Sequence, residues 1–324
     1  MQAALILTRA MPGFLTSRII ATFLSTWALG ACAPQLILPG PNITEPKLTD
    51  TVLVMPDGVN LPLHQWVPRR VPKAVILALH GFNDYGLFIE KAAAYFRMRG
   101  VHIYAYDQRG FGAAPHLGQW PGRKALADDL ITVTTLLRKK HPGTPLYHLG
   151  ASMGGAVLMI AATRDTQLRT DGLILAAPAV WGRISMSFYE RWALSLMSHM
   201  MPWLTLSGKG LNIKPSDNIK MLRALRRDPL IIKETRVDAV WGLVNLMDDA
   251  LASSSKLETR ALILFGEKDE IIKQKPAFKM QRNLSKKSKS GHQVISYEQG
   301  YHMLLRDLQA EKVWRDIIYW IYKT

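Results

Sequence analysis

From residue 50 onward, strand-length apolar runs alternate with helix-length patterns, and this alternation narrows the fold more than any other feature of the chain. A strand covered on both faces reads as a continuous apolar run, and a helix between successive runs supplies the crossover that parallel strands require. Such runs occupy 74–79, 101–106, 146–149, 173–176, 261–265 and 293–297, with helical patterns near 88–99, 124–140, 153–163, 276–284 and 307–322. Two earlier runs, 51–55 and 61–67, flank Pro56-Asp57-Gly58, a turn suited to an antiparallel hairpin. The pattern predicts an α/β fold with an eight-stranded, mostly parallel sheet and helices on both faces.

One interval breaks the rhythm. Roughly eighty residues separate the sixth strand from the seventh, far more than a single crossover needs. This stretch holds Trp181, Phe188, Tyr189, Trp192, Leu194, Leu196, Met197, Met200, Met201, Trp203 and Leu204, with Arg223, Arg226 and Arg227 further on. A helical lid inserted after strand six is expected, most of its apolar residues forming lid core and a minority lining a groove beneath it. The α/β core is then split into 49–178 and 256–324, with the lid at 179–255.

The N-terminus carries a second signal. Arg18 precedes a mostly apolar run, 19–29, that is too short for a comfortable membrane span and is followed by Gly30 and Ala31. Leu29-Gly30-Ala31-Cys32 resembles the bacterial lipobox, in which the cysteine becomes the lipidated first residue. Cys32 is the chain's only cysteine, so no disulfide forms within it. The expected division is a lipoprotein-type signal peptide at 1–31, starting at Met1 or Met11, and a stiff Pro-rich tether at 32–48 containing Pro34, Pro39, Pro41 and Pro46. Ala33 after the cysteine, rather than aspartate, implies the outer membrane of a bacterial envelope, on its periplasmic side. The net charge of +16 is spread through the chain. The densest cluster, Lys286, Lys287 and Lys289, reads as a solvated loop, and neither aromatic interleaving nor a nucleic-acid motif accompanies it.

Gly150-Ala151-Ser152-Met153-Gly154 follows a strand and enters a helix. Glycines two before and two after a serine leave room for a tight strand-to-helix turn that presents the hydroxyl. A serine hydroxyl needs a base to take its proton and an acid to orient that base. Gly266-Glu267-Lys268-Asp269 follows the strand at 261–265, and Gly300-Tyr301-His302 follows the last strand, giving the order Ser152, Asp269, His302; Glu267 and Glu270 compete for the acid's place. The N–H of Met153, after the nucleophile, and the N–H of Phe82, in His80-Gly81-Phe82 after the third strand, are the candidate oxyanion donors. His80 itself reads as a residue that holds this loop. Histidine and carboxylate spacing gives no metal-ligand cluster, and a triad requires neither metal nor cofactor.

His80-Gly81-Phe82, Tyr106-Asp107-Gln108-Arg109-Gly110-Phe111-Gly112, Gly150 to Gly155, the 266–269 turn and Gly300-Tyr301-His302 together resemble the monoacylglycerol lipase and lysophospholipase-like branch of the α/β-hydrolases, grouped with serine aminopeptidase-like hydrolases. The resemblance covers about residues 50 to 322. It implies Ser152, Asp269 and His302 as the triad, Phe82 and Met153 as oxyanion donors, a mobile lid, and structural roles for Asp107 and Arg109. The loop after Asp107 departs from the family's usual small polar and Gly-rich continuation, with Phe111-Gly112-Ala113-Ala114-Pro115-His116 in its place. The expected activity is hydrolysis of a lipid carboxylic ester at a membrane face, without an obligate protein partner. An aminopeptidase is the enzymatic alternative, needing acidic groups such as Glu190, Asp217, Asp228, Glu234 or Asp238 to hold an ammonium, though basic residues outnumber them in the insertion. A non-catalytic envelope lipoprotein is the other.

Overall fold

The computed structural model of the chain describes residues 33–164, 168–208, 210, 213–272, 274–285 and 291–323. The expected signal segment, Cys32 and the lysine-serine loop lie outside the described residues. In chain order the strands and helices are β1 (Lys47–Leu48), β2 (Val52–Val54), β3 (Asn60–Trp66), β4 (Ala74–Leu79), α1 (Glu90–Arg97), β5 (Val101–Tyr106), α2 (Arg123–Lys140), β6 (Leu146–Ala151), α3 (Met153–Ala162) and β7 (Gly172–Ala176). The insertion then supplies α4 (Phe188–Met200), β8 (Thr205–Ser207), α5 (Ile219–Arg227), β9 (Glu234–Arg236) and α6 (Val237–Ser253). The chain returns through β10 (Ala261–Gly266), α7 (Gln274–Ser285), β11 (Gln293–Tyr297) and α8 (Ala310–Tyr322).

The main sheet runs β1-β2-β3-β5-β4-β6-β7-β10-β11, antiparallel as far as the β3–β5 pair and parallel from there on. All six residues of β4 are buried because alternate side chains enter two different apolar layers. Val75, Leu77 and Leu79 join the layer under α2, α3 and α6, whereas Ala74, Ile76 and Ala78 join the layer under α1 and α8. Fully burying one such large aliphatic side chain contributes about 1.5–3 kcal/mol. In register, Leu79 lies opposite Gly150, Ala151 opposite Ala176, and Gly266 opposite Tyr297. The loops that leave the carboxyl ends of these strands therefore gather along one edge of the sheet, where open α/β folds bind their ligands.

Four features depart from the sequence expectation. The main sheet has nine described strands rather than eight, because Lys47 and Leu48 add a short antiparallel edge to β2. The 33–46 segment is no free tether: Ile37 N–H donates to Trp120 O at 3.0 Å, Ile43 and Thr44 N–H both donate to Pro56 O, and Arg236 donates to Gln35. Prolines stiffen such a segment, and a stiff segment loses little entropy when it lies along a surface. Within the expected lid span, α6 packs on α3 and buries Val244, Leu246, Met247 and Ala250 in the main apolar layer, so it is a layer helix. The rest of the expected lid span comprises α4, α5 and the antiparallel β8–β9 pair that brackets α5.

The fourth departure concerns the apolar residues of α4. A capping box of Ser187 and Glu190 starts this helix, and Phe188, Trp192, Leu196 and Met200 then recur every fourth residue along one face. That face is open to solvent, with Phe188 75% and Trp192 60% exposed, instead of forming lid core or lining a groove.

Three buried histidines make the fold sensitive to acid. Burial pushes the pKa of His148 down to about 3 and that of His102 down to about 4, and it lowers His80 as well. In the unfolded chain each returns to about 6.5, so the unfolded state binds more protons below that pH. Stability that is present above pH 6.5 is therefore lost as pH falls towards 4, by at most roughly 1.4 kcal/mol per pH unit for His148 and for His102, and His80 acts in the same direction. Denaturant unfolding between pH 7 and pH 5 should give a midpoint that falls with acidification; a flat profile would show these rings to be protonated in the fold.

Candidate active site

Ser152 stands between β6 and α3 with φ 49° and ψ −112°, a backbone conformation that non-glycine residues rarely adopt. Its N–H donates to Ala176 O at 3.0 Å, and its carbonyl accepts from Ala156 and Ala179, so three bonds hold the strained turn. The flanking glycines are required by proximity. A Cβ on Gly150 would lie 2.5 Å from the Gly154 carbonyl carbon, and one on Gly154 would lie 2.3 Å from Leu79 O. The turn thus closes on itself and on the end of β4.

His302 and Asp269 come from the loops after β11 and β10. His302 Nδ1 lies 2.8 Å from Asp269 Oδ2, and both side chains are buried. The other oxygen, Oδ1, accepts from the N–H groups of Ile271 and Ile272, each at 2.8 Å, so the carboxylate is fixed on both sides. Glu267 instead accepts from Ser296 and Glu270 from Lys214 N–H, both at exposed positions. Of the three acids in this turn, Asp269 is the one that meets the imidazole. Ser152 and His302 line one cavity of about 230 Å³, whose other walls include Phe82, Phe88, Ile271 and Leu305. The hydrogen bonds of His302 run to Asp269 and not to Ser152, a looseness common in sites without substrate.

The loop after β4 passes against the serine: a Cβ on Gly81 would lie 3.4 Å from Ser152 Cβ. His80 orients this loop. The bond from Gln108 N–H to its Nε2, 3.0 Å, makes that nitrogen the acceptor, so Nδ1 carries the proton and donates to Gly81 O at 2.8 Å. Complete burial keeps the ring neutral by pushing its pKa below the ordinary imidazole value. The carbonyl it holds belongs to the peptide that carries the Phe82 N–H, and across a trans peptide the two groups point in opposite directions. Neither Phe82 N–H nor Met153 N–H enters a described hydrogen bond, and Met153 is the first residue of α3, where a helix has no internal acceptor to offer.

Asp107 and Arg109 brace the neighbouring loop. Asp107 accepts from Gly86 and Ala113 N–H, each at 2.8 Å, and lies 3.2 Å from His64. Burial pushes its pKa up, and the bonds to His64, Ala113 and Gly86 more than reverse that, leaving it below the ordinary carboxylate value. Arg109 is held between Asp57 and Asp129, two bonds to each.

Two residues of the cavity carry no motif and escape a reading of the sequence: Asp84 and Arg306, which form an ion pair across the cavity wall. They join the loop of Phe82 to the loop of His302. The lid grips the same two loops, through Asn83 donating to Thr235 at 2.6 Å, Tyr85 donating to Asp228 at 2.7 Å, and Met303 N–H donating to Pro215 O at 3.0 Å. Among the described residues, no group of three or more histidine, cysteine or carboxylate side chains is placed to hold a metal ion.

With this geometry stand the likenesses to known proteins. The monoglyceride lipase of Mus musculus is 26% identical over 266 residues, covering 79% of this chain and 84% of that protein. The monoacylglycerol lipase of Mycolicibacterium smegmatis is 21% identical, covering 82% and 93%. A soluble variant of the Saccharomyces cerevisiae monoglyceride lipase, solved with a substrate analogue, superposes with a TM-score of 0.68 at 19% identity over 90% of this chain and 98% of its own, a likeness of fold. The family model described as serine aminopeptidase, S33, matches residues 70–309, a span that contains Phe82, Ser152, Asp269 and His302. The chain belongs to the serine aminopeptidase S33 family and is a serine hydrolase with the α/β-hydrolase fold.

Proposed function

We propose that the protein cleaves carboxylic esters of lipids, of the monoacylglycerol or lysophospholipid class, through an acyl-enzyme on Ser152. The observation that carries this reading is the placement of Ser152 and the Asp269-paired His302 in one cavity with apolar walls. His302 takes the hydroxyl proton as Ser152 Oγ attacks the ester carbonyl, and the N–H groups of Phe82 and Met153 receive the negative charge on the carbonyl oxygen. The tetrahedral species collapses, the C–O bond to the alcohol breaks, and His302 returns the proton to that alcohol. Water, deprotonated by His302, then attacks the acyl carbon, releasing a fatty acid and free Ser152. Asp269, anchored by two backbone N–H groups, keeps the imidazole in the tautomer with its proton on Nδ1.

The cavity favours esters over peptides with a free amino terminus. Asp84 is the carboxylate among its lining residues, and Arg306 already neutralises it, leaving no free anion for a substrate ammonium. The setting proposed for this chemistry is the periplasmic face of a bacterial outer membrane, with the protein attached through a lipid on Cys32. The open aromatic face of α4 suits a lipid-rich surface.

Three measurements test this reading. A fluorophosphonate should label the wild-type protein and not Ser152→Ala, and medium-chain p-nitrophenyl and monoacylglycerol esters should be hydrolysed in parallel; equal labelling of the two proteins would sink the assignment of the nucleophile. Asp269→Asn should lower kcat about 10³- to 10⁴-fold, whereas Glu267→Gln and Glu270→Gln should stay within about threefold of wild type, since surface changes away from such networks have small effects. Cys32→Ser should move the protein from the membrane to the soluble fraction; unchanged membrane association would remove the lipid anchor from the account.

A further inference from the structure

Phe111 and Trp120, in the loop whose sequence departs from the family pattern, line no part of the cavity, yet their rings stand behind the Phe82 side chain. The Phe82 ring meets Phe111 edge-to-face at 5.6 Å and Trp120 edge-to-face at 6.2 Å, while Phe111 also meets the His80 ring at 5.5 Å. Such pairs contribute about 0.5–1.5 kcal/mol each beyond simple burial, and they fix orientation as well as distance.

Trp120 is itself immobilised from three directions. Its indole lies so close to α6 that a Cβ on Gly242 would fall 2.3 Å from it. Its loop closes tightly, because Gly110, with φ +79°, leaves no room for a side chain against Gln119 O. Its carbonyl accepts from Ile37 N–H at 3.0 Å, in a backbone bridge between the N-terminal strap and the loop at Leu36 and Trp120. The strap is pinned in turn by Arg236 at the start of α6, which donates to Gln35.

We propose that Trp120, clamped by the 35–37 strap and by Gly242, is a positioning residue that sets the direction of the Phe82 N–H in the oxyanion hole. His80 holds the carbonyl end of the 81–82 peptide, and the ring shelf of Trp120 and Phe111 holds the side chain on its other end. Both ends are needed because an N–H stabilises the oxyanion only when aimed at the place the charge develops. The segment that follows Cys32 is then part of the catalytic framework and not only a spacer. This inference rests on the proposed role of Phe82.

The test measures kcat and KM for a soluble p-nitrophenyl ester on the full chain, each normalised to active sites titrated with fluorophosphonate, for wild type, Trp120→Leu and Trp120→Phe. Removing an oxyanion donor costs about 10²- to 10³-fold in kcat, so misdirecting one should lower kcat per titrated site about tenfold or more with KM nearly unchanged. Trp120→Phe, which keeps an aromatic edge, should recover most of the loss. Ile37→Pro removes the strap's N–H donor and should shift kcat the same way by a smaller factor. Wild-type kcat per site in Trp120→Leu, or a rise in KM at constant kcat, overturns the positioning role. Wild-type kcat in Ile37→Pro overturns the strap's part in it. A wild-type protein that neither titrates nor turns over refutes the proposed ester cleavage through Ser152, a different result from either of these.

Discussion

The backbone of Ser152 is held in a conformation that a free chain would leave, and the rest of the site is arranged around keeping it there. A residue in such a sparsely populated region costs about 1–3 kcal/mol and persists only where its surroundings over-determine it. Here the over-determination comes from the sheet. Ser152 N–H bonds to the last residue of β7, its carbonyl takes bonds from Ala156 and Ala179, and Gly154 lies flush against the end of β4. The serine is therefore located relative to two neighbouring strands at once. Because those strands are parallel and in register, the loop of Phe82 arrives beside the same residue without a separate device to bring it there.

The other half of the site depends on loops that no strand register fixes so tightly, and these are tied together by charge. Asp84 and Arg306 bridge the Phe82 loop and the His302 loop. Lid contacts at Asn83, Tyr85 and Met303 reinforce the same two loops. Partly buried ion pairs contribute little net stability when compared with apolar replacements, so their value here lies in geometry: two loops with independent origins acquire one relative position. Through these bonds the insertion meets the loop of Phe82 and the loop of His302 together.

What the sequence discloses follows from the range over which each signal acts. The strands at 74–79, 101–106 and 261–265 were legible because burial on both faces leaves an uninterrupted apolar run. The glycines around Ser152 are legible because local backbone geometry demands them, whereas Asp269 and His302 are legible only as polar residues just beyond strand ends, in the chain order of the α/β-hydrolases. Choosing Asp269 over Glu267 and Glu270 was harder, since all three sit in one turn and only the direction of the loop separates them. Asp84 and Arg306 were invisible, because a contact between residues so far apart in sequence leaves no periodic trace. The antiparallel β8–β9 pair leaves no trace for a related reason: two three-residue strands, Thr205–Ser207 and Glu234–Arg236, are too short to show alternation. The apolar residues of α4 suggest core on composition alone, whereas the face of Phe188, Trp192, Leu196 and Met200 is exposed.

The N-terminal strap shows why a proline-rich segment need not stand free of the fold. Four prolines do make the segment stiff and extended, and an extended chain between a lipid and an enzyme is a reasonable spacer. Stiffness, however, also lowers the entropic cost of docking, because few conformations are lost when such a chain lies down. A handful of backbone bonds, to Trp120 and Pro56, is then sufficient to seat it. Once seated, its position is no longer independent of the site: Trp120 carries the strap on its carbonyl and Phe82 on its ring. Length along the chain separates residue 37 from residue 82, but one residue, Trp120, links them in the fold.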